Sequence, residues 1–141
     1  MSQSDTRTGD IPVLAGEDLT GKNGRLVVLT HDGGVPEVKL PTANADLAFY
    51  LLVDDNADAA LVAVRPLEAG RNVRAVLKGT CNPGDVIVLA DTGTAADKGK
   101  VRALPAAAGT YRGLGIAEEK GVDGQSVLFR PAMIGNVTVS E

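Results

Sequence analysis

Short apolar runs alternate with glycine, proline, asparagine and aspartate along most of the chain. A run of four to eight apolar or β-branched residues between two turn signals is typical of a β-strand. Nine runs fit this description: residues 25–30, 36–40, 47–53, 60–64, 71–78, 85–90, 100–104, 111–117 and 126–130. Only residues 55–60 and 105–109 look helical, and each is long enough for about one turn. The pattern predicts an all-β chain.

The turns between these runs indicate how the strands are connected. His31-Asp32-Gly33-Gly34 carries the Asp-Gly signal of a tight hairpin. Residues 36–40 lie between two prolines, which lack the N–H group that a central strand needs, so we expect this strand at a sheet edge. A turn signal every ten to fifteen residues or so is typical of a compact barrel or sandwich. We therefore predict a small β-barrel or β-tulip-like sandwich with short helical turns.

Length and composition fit one domain with an aliphatic core. The chain has 141 residues, of which 44% are hydrophobic and only 3% aromatic, together with 17 glycines and 7 prolines. A chain of this length can bury one sizeable core. With so few aromatic residues, that core must consist mainly of Val, Leu, Ile and Ala.

The N-terminal residues differ from the rest of the chain. Residues 1–10 contain no apolar residue after Met1, so they cannot bury surface by themselves. The apolar run Ile11-Pro12-Val13-Leu14-Ala15 follows, and it fits either an edge strand of the domain or an arm that docks on a neighbour. We divide the chain into an extended, flexible N-terminal arm, residues 1–15, and a single β-rich domain, residues 16–141.

The charge balance excludes several classes of partner. The formal net charge is −4 and the isoelectric point is near 5.0, whereas binding to phosphates needs clustered Lys and Arg. We therefore expect no direct contact with nucleic acid. No stretch approaches the roughly 20 apolar residues that span a bilayer, and residues 1–10 lack the apolar centre of a signal peptide. We expect no membrane partner and synthesis in the cytoplasm.

Few residues carry chemistry of their own. Cys81 is the single cysteine and His31 the single histidine, and they lie fifty positions apart. A nucleophilic cysteine needs a nearby base, so we interpret Cys81 as a small buried or half-buried core residue. We expect no enzymatic activity and no cofactor.

One spacing resembles the start of a calcium loop. Asp54, Asn56 and Asp58 have the pattern D-x-N-x-D, in which alternate oxygens converge on one cation. The remainder of the loop is missing, since Ala59 replaces the glycine and Arg65 occupies the position of the bidentate glutamate. A polar turn between two strands is the favoured interpretation.

Three further motifs have structural and functional interpretations. Gly113 and Gly115 lie inside a strand pattern, where glycine marks a bulge or a close backbone approach rather than a dinucleotide site. Glu118 and Glu119 are adjacent, so in a strand they would face opposite sides and cannot form an acid/base pair, and a solvated turn is the favoured interpretation. Lys98 follows the run GDVIVLADTGTAAD, which superficially resembles the lysine-presenting hairpin of lipoyl and biotinyl carrier domains, although its turn is longer.

The order and spacing of several segments resemble one protein family. AGEDLTGKNGRLVVLTHDGGVPEVKLPTANADLAFYLLVDD opens the domain, NPGDVIVLAD follows, and GTYRGLGIAEEKGVDGQSVLFRP closes it. Together they are similar to the small capsid decoration, or cement, proteins of tailed bacteriophages, over about residues 15–135. The inserts DDNADAA and TGTAADKGK are longer and more charged than in compact members of that family.

The resemblance implies a structural virion protein. Such proteins sit as homotrimers on the outer capsid surface and bridge neighbouring subunits of the major capsid protein after the head has expanded. This implies a location on the virion, assembled in the bacterial cytoplasm, and no nucleophile, metal or cofactor. The arm interpretation makes Ile11, Pro12, Val13 and Leu14 the candidate capsid-binding residues. The alternatives are a phage tail or carbohydrate-binding β module and, less favoured, a carrier domain modified at Lys98.

Overall fold

The computed structural model describes residues 9–140, and this part of the chain consists almost entirely of β-strands. Its eleven strands are β1 (Ile11–Ala15), β2 (Leu26–Asp32), β3 (Val35–Lys39), β4 (Tyr50–Asp54), β5 (Leu61–Pro66), β6 (Val73–Val76), β7 (Val86–Leu89), β8 (Val101–Ala103), β9 (Gly109–Ala117), β10 (Ser126–Pro131) and β11 (Asn136–Val139). The predicted all-β fold is confirmed. Each of the nine predicted runs contains a strand, as does the run at residues 11–15.

The helical turn lies at a different place from the two expected. Within residues 9–140 the single helical segment is a 3-10 turn at Ala95–Asp97, whereas 55–60 and 105–109 form irregular connections. The 3-10 turn is held from outside, because the guanidinium of Arg25 donates to the carbonyl oxygen of Ala96 at 2.9 Å. Tertiary contacts, which local sequence does not reveal, therefore decided where the turn forms.

The first five strands close into a barrel. Their order around it is β1-β3-β2-β4-β5, and antiparallel pairing of β5 with β1 completes the ring. The β2–β3 hairpin confirms the predicted tight reversal, since Gly33 (φ 58) and Gly34 (φ 87) form its two-residue turn. Positive φ at both positions is what a type I′ turn requires. The predicted barrel is thus present in the N-terminal half.

The strand predicted at a sheet edge is an internal strand of the barrel wall. β3 pairs with β2 on one side and, in parallel, with β1 on the other. The prolines do not prevent this, because β1 pairs with Glu37 and Val38 and leaves Pro36 outside the shared register. Pro36 pairs with His31 of β2 but not with β1, so its missing N–H does not force β3 to a sheet edge.

The remaining strands form a second sheet. Its path is β6-β10-β9-β7-β8, and β11 also pairs with β9. One parallel bridge between Leu77 and Val101 brings the two ends of this path together. The backbone N–H of Lys78 donates to the carbonyl oxygen of Val101 at 2.8 Å. The second sheet therefore curves almost into a second barrel.

Strands β2 and β4 separate two apolar cores. Val27 and Leu52 point into the barrel, whereas Leu26 and Leu51 point into the core of the second sheet. Successive side chains of a strand face opposite sides, so both faces of this wall are buried. The second core is centred on Phe129, which is 0% exposed. This arrangement makes the barrel and the second sheet depend on each other.

The close packing of β9 against its neighbours explains the Gly-Leu-Gly motif. A Cβ atom at Gly115 would collide with the carbonyl oxygen of Arg130, and one at Gly113 with that of Gly135. The register of β7 against β9 also shifts between Gly115 and Gly113. The prediction of a bulge and a close backbone approach is confirmed.

We predict that Gly115→Ala destabilises the fold by about 1–3 kcal/mol, because the added methyl group meets backbone that cannot rotate away. The free energy of unfolding from urea denaturation measures this. Gly70→Ala is the matched control, since a Cβ atom there meets nothing within 4 Å. Equal stability of the two variants would contradict the close approach.

Candidate functional site

The four candidate capsid-binding residues lie in the barrel wall. Ile11 to Leu14 pair with Val64 to Leu61 of β5, and Leu14 also pairs with Glu37 of β3. Val13 is buried, whereas Pro12 is exposed and Leu14 is half-buried. The structure makes this run a strand of the domain, but within the closed barrel rather than at a sheet edge. β1 pairs with β5 along Ile11–Leu14 and with β3 at Leu14 and Ala15.

Two side chains of β1 face outward and are available for contact with another molecule. Because Val13 and Ala15 face the core, Pro12 and Leu14 face outward. The register partner of Leu14 is Leu61, which is 61% exposed. These outward residues of β1 and β5 form a small apolar patch, here called the β1–β5 patch and defined as Pro12, Leu14 and Leu61.

An ion pair fixes the start of β1. The guanidinium of Arg65 donates to both carboxylate oxygens of Asp10, at 2.8 and 3.2 Å. This hydrogen bonding lowers the pKa of Asp10 and raises the pKa of Arg65. The part of the predicted arm at residues 1–8 lies outside the described residues.

The possible calcium ligands belong to the connection between β4 and β5. The side-chain amide of Asn56 donates to the carbonyl of Leu61 at 3.2 Å, and its oxygen accepts from the N–H of Ala57 at 2.9 Å. Asn56 therefore serves the backbone of a polar turn, as the favoured interpretation stated. Among residues 9–140, no three His, Cys, Asp or Glu side chains are placed to hold a metal ion.

Cys81 and Lys98 both occupy structural positions. Cys81 is 4% exposed, as predicted for a core residue, and burial raises the pKa of its thiol. Lys98 directly follows the 3-10 turn, and its carbonyl oxygen accepts from Arg25 at 2.9 Å. It therefore does not lie at the tip of a tight hairpin, which is where a carrier domain presents its lysine.

Glu118 and Glu119 link neighbouring strands. The carboxylate of Glu119 accepts from the backbone N–H of Leu128 at 2.9 Å and from Arg74 at 2.7 Å. Glu118 accepts from Asn72 at 3.0 Å and from Arg130. The hydrogen bonds from Leu128 and then from Arg74 lower the pKa of Glu119. The two carboxylates face different partners, as their adjacency predicted, but they are strand clamps rather than free groups of a solvated turn.

A wide polar depression opens beside β1 and β3. It has a volume of about 630 Å³ and is bordered by His31, Asp32, Glu37, Lys39 and Asp58, among other residues. Lys39 lies 3.7 Å from the carboxylate of Glu37, and Nδ1 of His31 accepts from the N–H of Gly34 at 3.0 Å. Several of its polar groups thus pair locally instead of converging on a common point.

A second surface is distinguished by its lack of charge. Residues 104–111 and 131–140 contain no Asp, Glu, Lys or Arg, in a chain that is 23% charged. The pairing of β11 with β9 brings the two segments side by side, with Val137 opposite Tyr111 and Val139 opposite Gly109. These segments are here called the uncharged face. The cores of protein interfaces are depleted in charge in the same way.

The most exposed large apolar residue of the described chain lies on this face. Met133 is 96% exposed, and its neighbour Ile134 is 41% exposed. Beside Met133 lies an apolar groove of about 290 Å³, here called the Met133 groove, lined by Phe49, Leu67, Glu68, Ala69, Leu114, Pro131, Ala132 and Met133. An exposed apolar group beside an apolar groove marks a surface suited to protein contact.

The uncharged face also has an open strand edge. β10 pairs with β6 only as far as Phe129, and β11 pairs with β9 alone. Within residues 9–140, no strand pairs with the other side of β11. None of the nine predicted runs covers β11, because only two of its four residues are apolar. The run of ten uncharged residues was the signal that could have revealed this face.

The fold defines a class of all-β proteins in which a closed five-stranded barrel shares a wall with a curved second sheet. No protein-family model and no curated protein matches the sequence. Among solved structures, the chain is similar to the head fiber gp8.5 N base of bacteriophage phi29. The TM-score is 0.65 at 17% identity, and the match covers 94% of this chain and 97% of that chain. At this identity the likeness shows a shared fold. Within the described residues, no helix has the length and apolar character needed to cross a bilayer.

Two deletions test the position of β1. Removing residues 1–8 should leave a cooperatively folded protein, because strand pairing begins at Ile11. Removing residues 1–15 should abolish cooperative unfolding, since β3 and β5 lose their shared neighbour and a stability of about 5–15 kcal/mol does not survive such a loss. Circular dichroism during thermal unfolding measures both. A sharp transition after the longer deletion would contradict the closed barrel.

The Glu119 clamp predicts a pH dependence. Its lowered pKa means that the carboxylate stabilises the folded state above the ordinary glutamate pKa, and that this stabilisation disappears as the pH falls through the lower folded value. Glu119→Gln should therefore unfold at lower urea than the parent at pH 7, and the gap should close as the pH falls below the ordinary glutamate pKa and through the lower folded value. Glu68→Gln is the control, because within residues 9–140 the Glu68 carboxylate accepts no hydrogen bond. A gap that does not change with pH would refute the clamp.

Proposed function

We propose that this protein is a structural component of a bacteriophage head, which binds the outer capsid surface as a homotrimer and bridges subunits of the major capsid protein. The observation that carries the proposal is the fold shared with a phage head fiber base along almost the whole of both chains. The resemblance of the sequence to capsid decoration proteins supports the same conclusion independently.

The construction of the molecule suits a stabilising role. A protein that binds only the assembled, expanded lattice stabilises that state by mass action. Two cores that share one wall give a stiff body, which loses little conformational freedom when it binds. Three linked copies would add avidity to weak single contacts.

The proposal assigns the protein to binding rather than to catalysis. The chemistry-bearing residues described above serve the fold: Cys81 is buried, Glu119 clamps two strands, and His31 accepts a hydrogen bond within its own hairpin. Catalysis needs a nucleophile, a base and an electrophile that converge on one pocket. The proposed action therefore depends on surfaces.

We assign capsid contact to the β1–β5 patch. This keeps Pro12 and Leu14 as capsid-binding residues but changes the mode of contact from strand addition to side-chain packing. Pro12, Leu14 and Leu61 all face outward from a strand pair that is fixed within the barrel. Burial of one such aliphatic side chain contributes about 1.5–3 kcal/mol.

Decoration of empty heads tests the proposal. Expanded heads assembled without this protein should bind it in a saturable way and should then resist heat to a higher temperature. The double variant Leu14→Ala, Leu61→Ala should bind at least about tenfold more weakly, because two apolar contacts are lost. Val122→Ala is the matched control, since Val122 is also exposed but lies between β9 and β10. Cosedimentation with heads measures binding, and failure of the parent protein to bind would refute the proposed function.

A further inference from the structure

The exposed side chain of Met133, here called the knob, lies beside the Met133 groove. Met133 projects from the connection between β10 and β11 and is 96% exposed. The groove next to it is lined mostly by apolar side chains from four parts of the chain: Phe49, the residues at 67–69, Leu114 and residues 131–133. A dry cavity of roughly 150 Å³ can hold a benzene molecule. A groove of about 290 Å³ therefore has room for one methionine side chain from outside.

The charge distribution favours a second copy of the same chain as the partner. Each copy carries a formal charge of −4, so two copies repel one another through most of their surface. In a contact between two copies, each copy contributes the same charged residues, and like charges repel. A face without charged residues avoids this repulsion. The uncharged face meets this condition. The groove lining contains one charged side chain, that of Glu68, and the guanidinium of Arg130 donates to the carbonyl oxygen of Ala69 at 3.4 Å, so one charge of each sign lies here.

The open edge of the sheet lies on the same face. β11 carries no charge and no proline, which are the usual devices that keep strand edges apart. The knob lies three residues before this strand in the chain.

We propose that Met133 of one copy inserts into the Met133 groove of the next copy, so that the uncharged face is the contact between subunits. A knob that lies beside its own groove fits either a reciprocal contact across a two-fold axis or a head-to-tail contact, and the homotrimer of the proposed function requires the head-to-tail contact, which closes into a ring. That the ring has three members rests on the proposed function. The contact between copies itself does not depend on the capsid.

Solution mass of the full chain tests the contact. Analytical ultracentrifugation over a range of concentrations should show an oligomer for the parent protein. Met133→Ala should raise the dissociation constant of each contact about tenfold to a hundredfold, the loss expected for one buried side chain. Leu61→Ala is the matched control, because it removes an exposed apolar side chain from β5 and should leave the oligomer unchanged. A parent protein that is monomeric at every concentration would overturn the proposal.

A complementation experiment tests the head-to-tail geometry. Ala69→Trp should fill the groove from its exposed lining and should produce monomers, as Met133→Ala does. In an equimolar mixture, the knob of the Ala69→Trp chain can enter the groove of the Met133→Ala chain, which keeps every lining side chain except that of residue 133. The mixture should therefore contain dimers but no closed ring, because the return contact is missing. A mixture that stays monomeric, or that restores the full oligomer, would overturn the head-to-tail contact.

Head binding separates this inference from the proposed function. If Met133→Ala breaks the oligomer but the parent protein does not bind heads, the contact between copies stands and the capsid role fails. If the parent binds heads and Met133→Ala leaves the oligomer intact, the capsid role stands and the contact fails. Loss of head binding by Met133→Ala with an unchanged oligomer would assign the uncharged face to the shell instead.

Discussion

The structure depends on one wall of two strands that is buried on both faces. Leu26 and Leu51 pack into the core of the second sheet, while Val27 and Leu52 pack into the barrel. The backbone reinforces this connection, since the N–H of Leu26 donates to Gly99 at 2.7 Å and that of Val76 donates to Gly24 at 2.9 Å. Neither half has a complete core without the other, so the molecule behaves as one stiff body.

The exposed apolar side chains are free for contact with other molecules. Because buried residues alone form the two cores, these exposed side chains are not needed to complete the fold. Two of them lie in separate regions: Leu61 beside the outward side of β1, and Met133 on the uncharged face. Two distinct surfaces are what a protein needs if it is to join its own copies and also grip a lattice. The proposed contact between copies uses the face without charge, where a net charge of −4 per copy adds the least repulsion.

The close approach of β9 and β10 shapes the uncharged face. Gly113 and Gly115 allow the carbonyl groups of Gly135 and Arg130 to reach β9 where a side chain would block them. The chain then turns outward at Met133 and returns as β11 along the same strand. A local steric requirement at two glycines thus positions the exposed methionine beside its groove.

The sequence by itself determined nine of the eleven strands in residues 9–140, the hairpin at Gly33 and Gly34, the buried state of Cys81 and the close approach at Gly115, because period, turn chemistry and side-chain size act locally. It also indicated the resemblance to phage head proteins. Tertiary structure alone decided that β1 lies between β3 and β5, that β3 is not an edge, and that the helical turn forms where Arg25 holds it. These features depend on contacts between residues far apart in the chain, which no local pattern specifies. Only the folded chain brings residues 104–111 and 131–140 together, and so turns two uncharged runs into one surface.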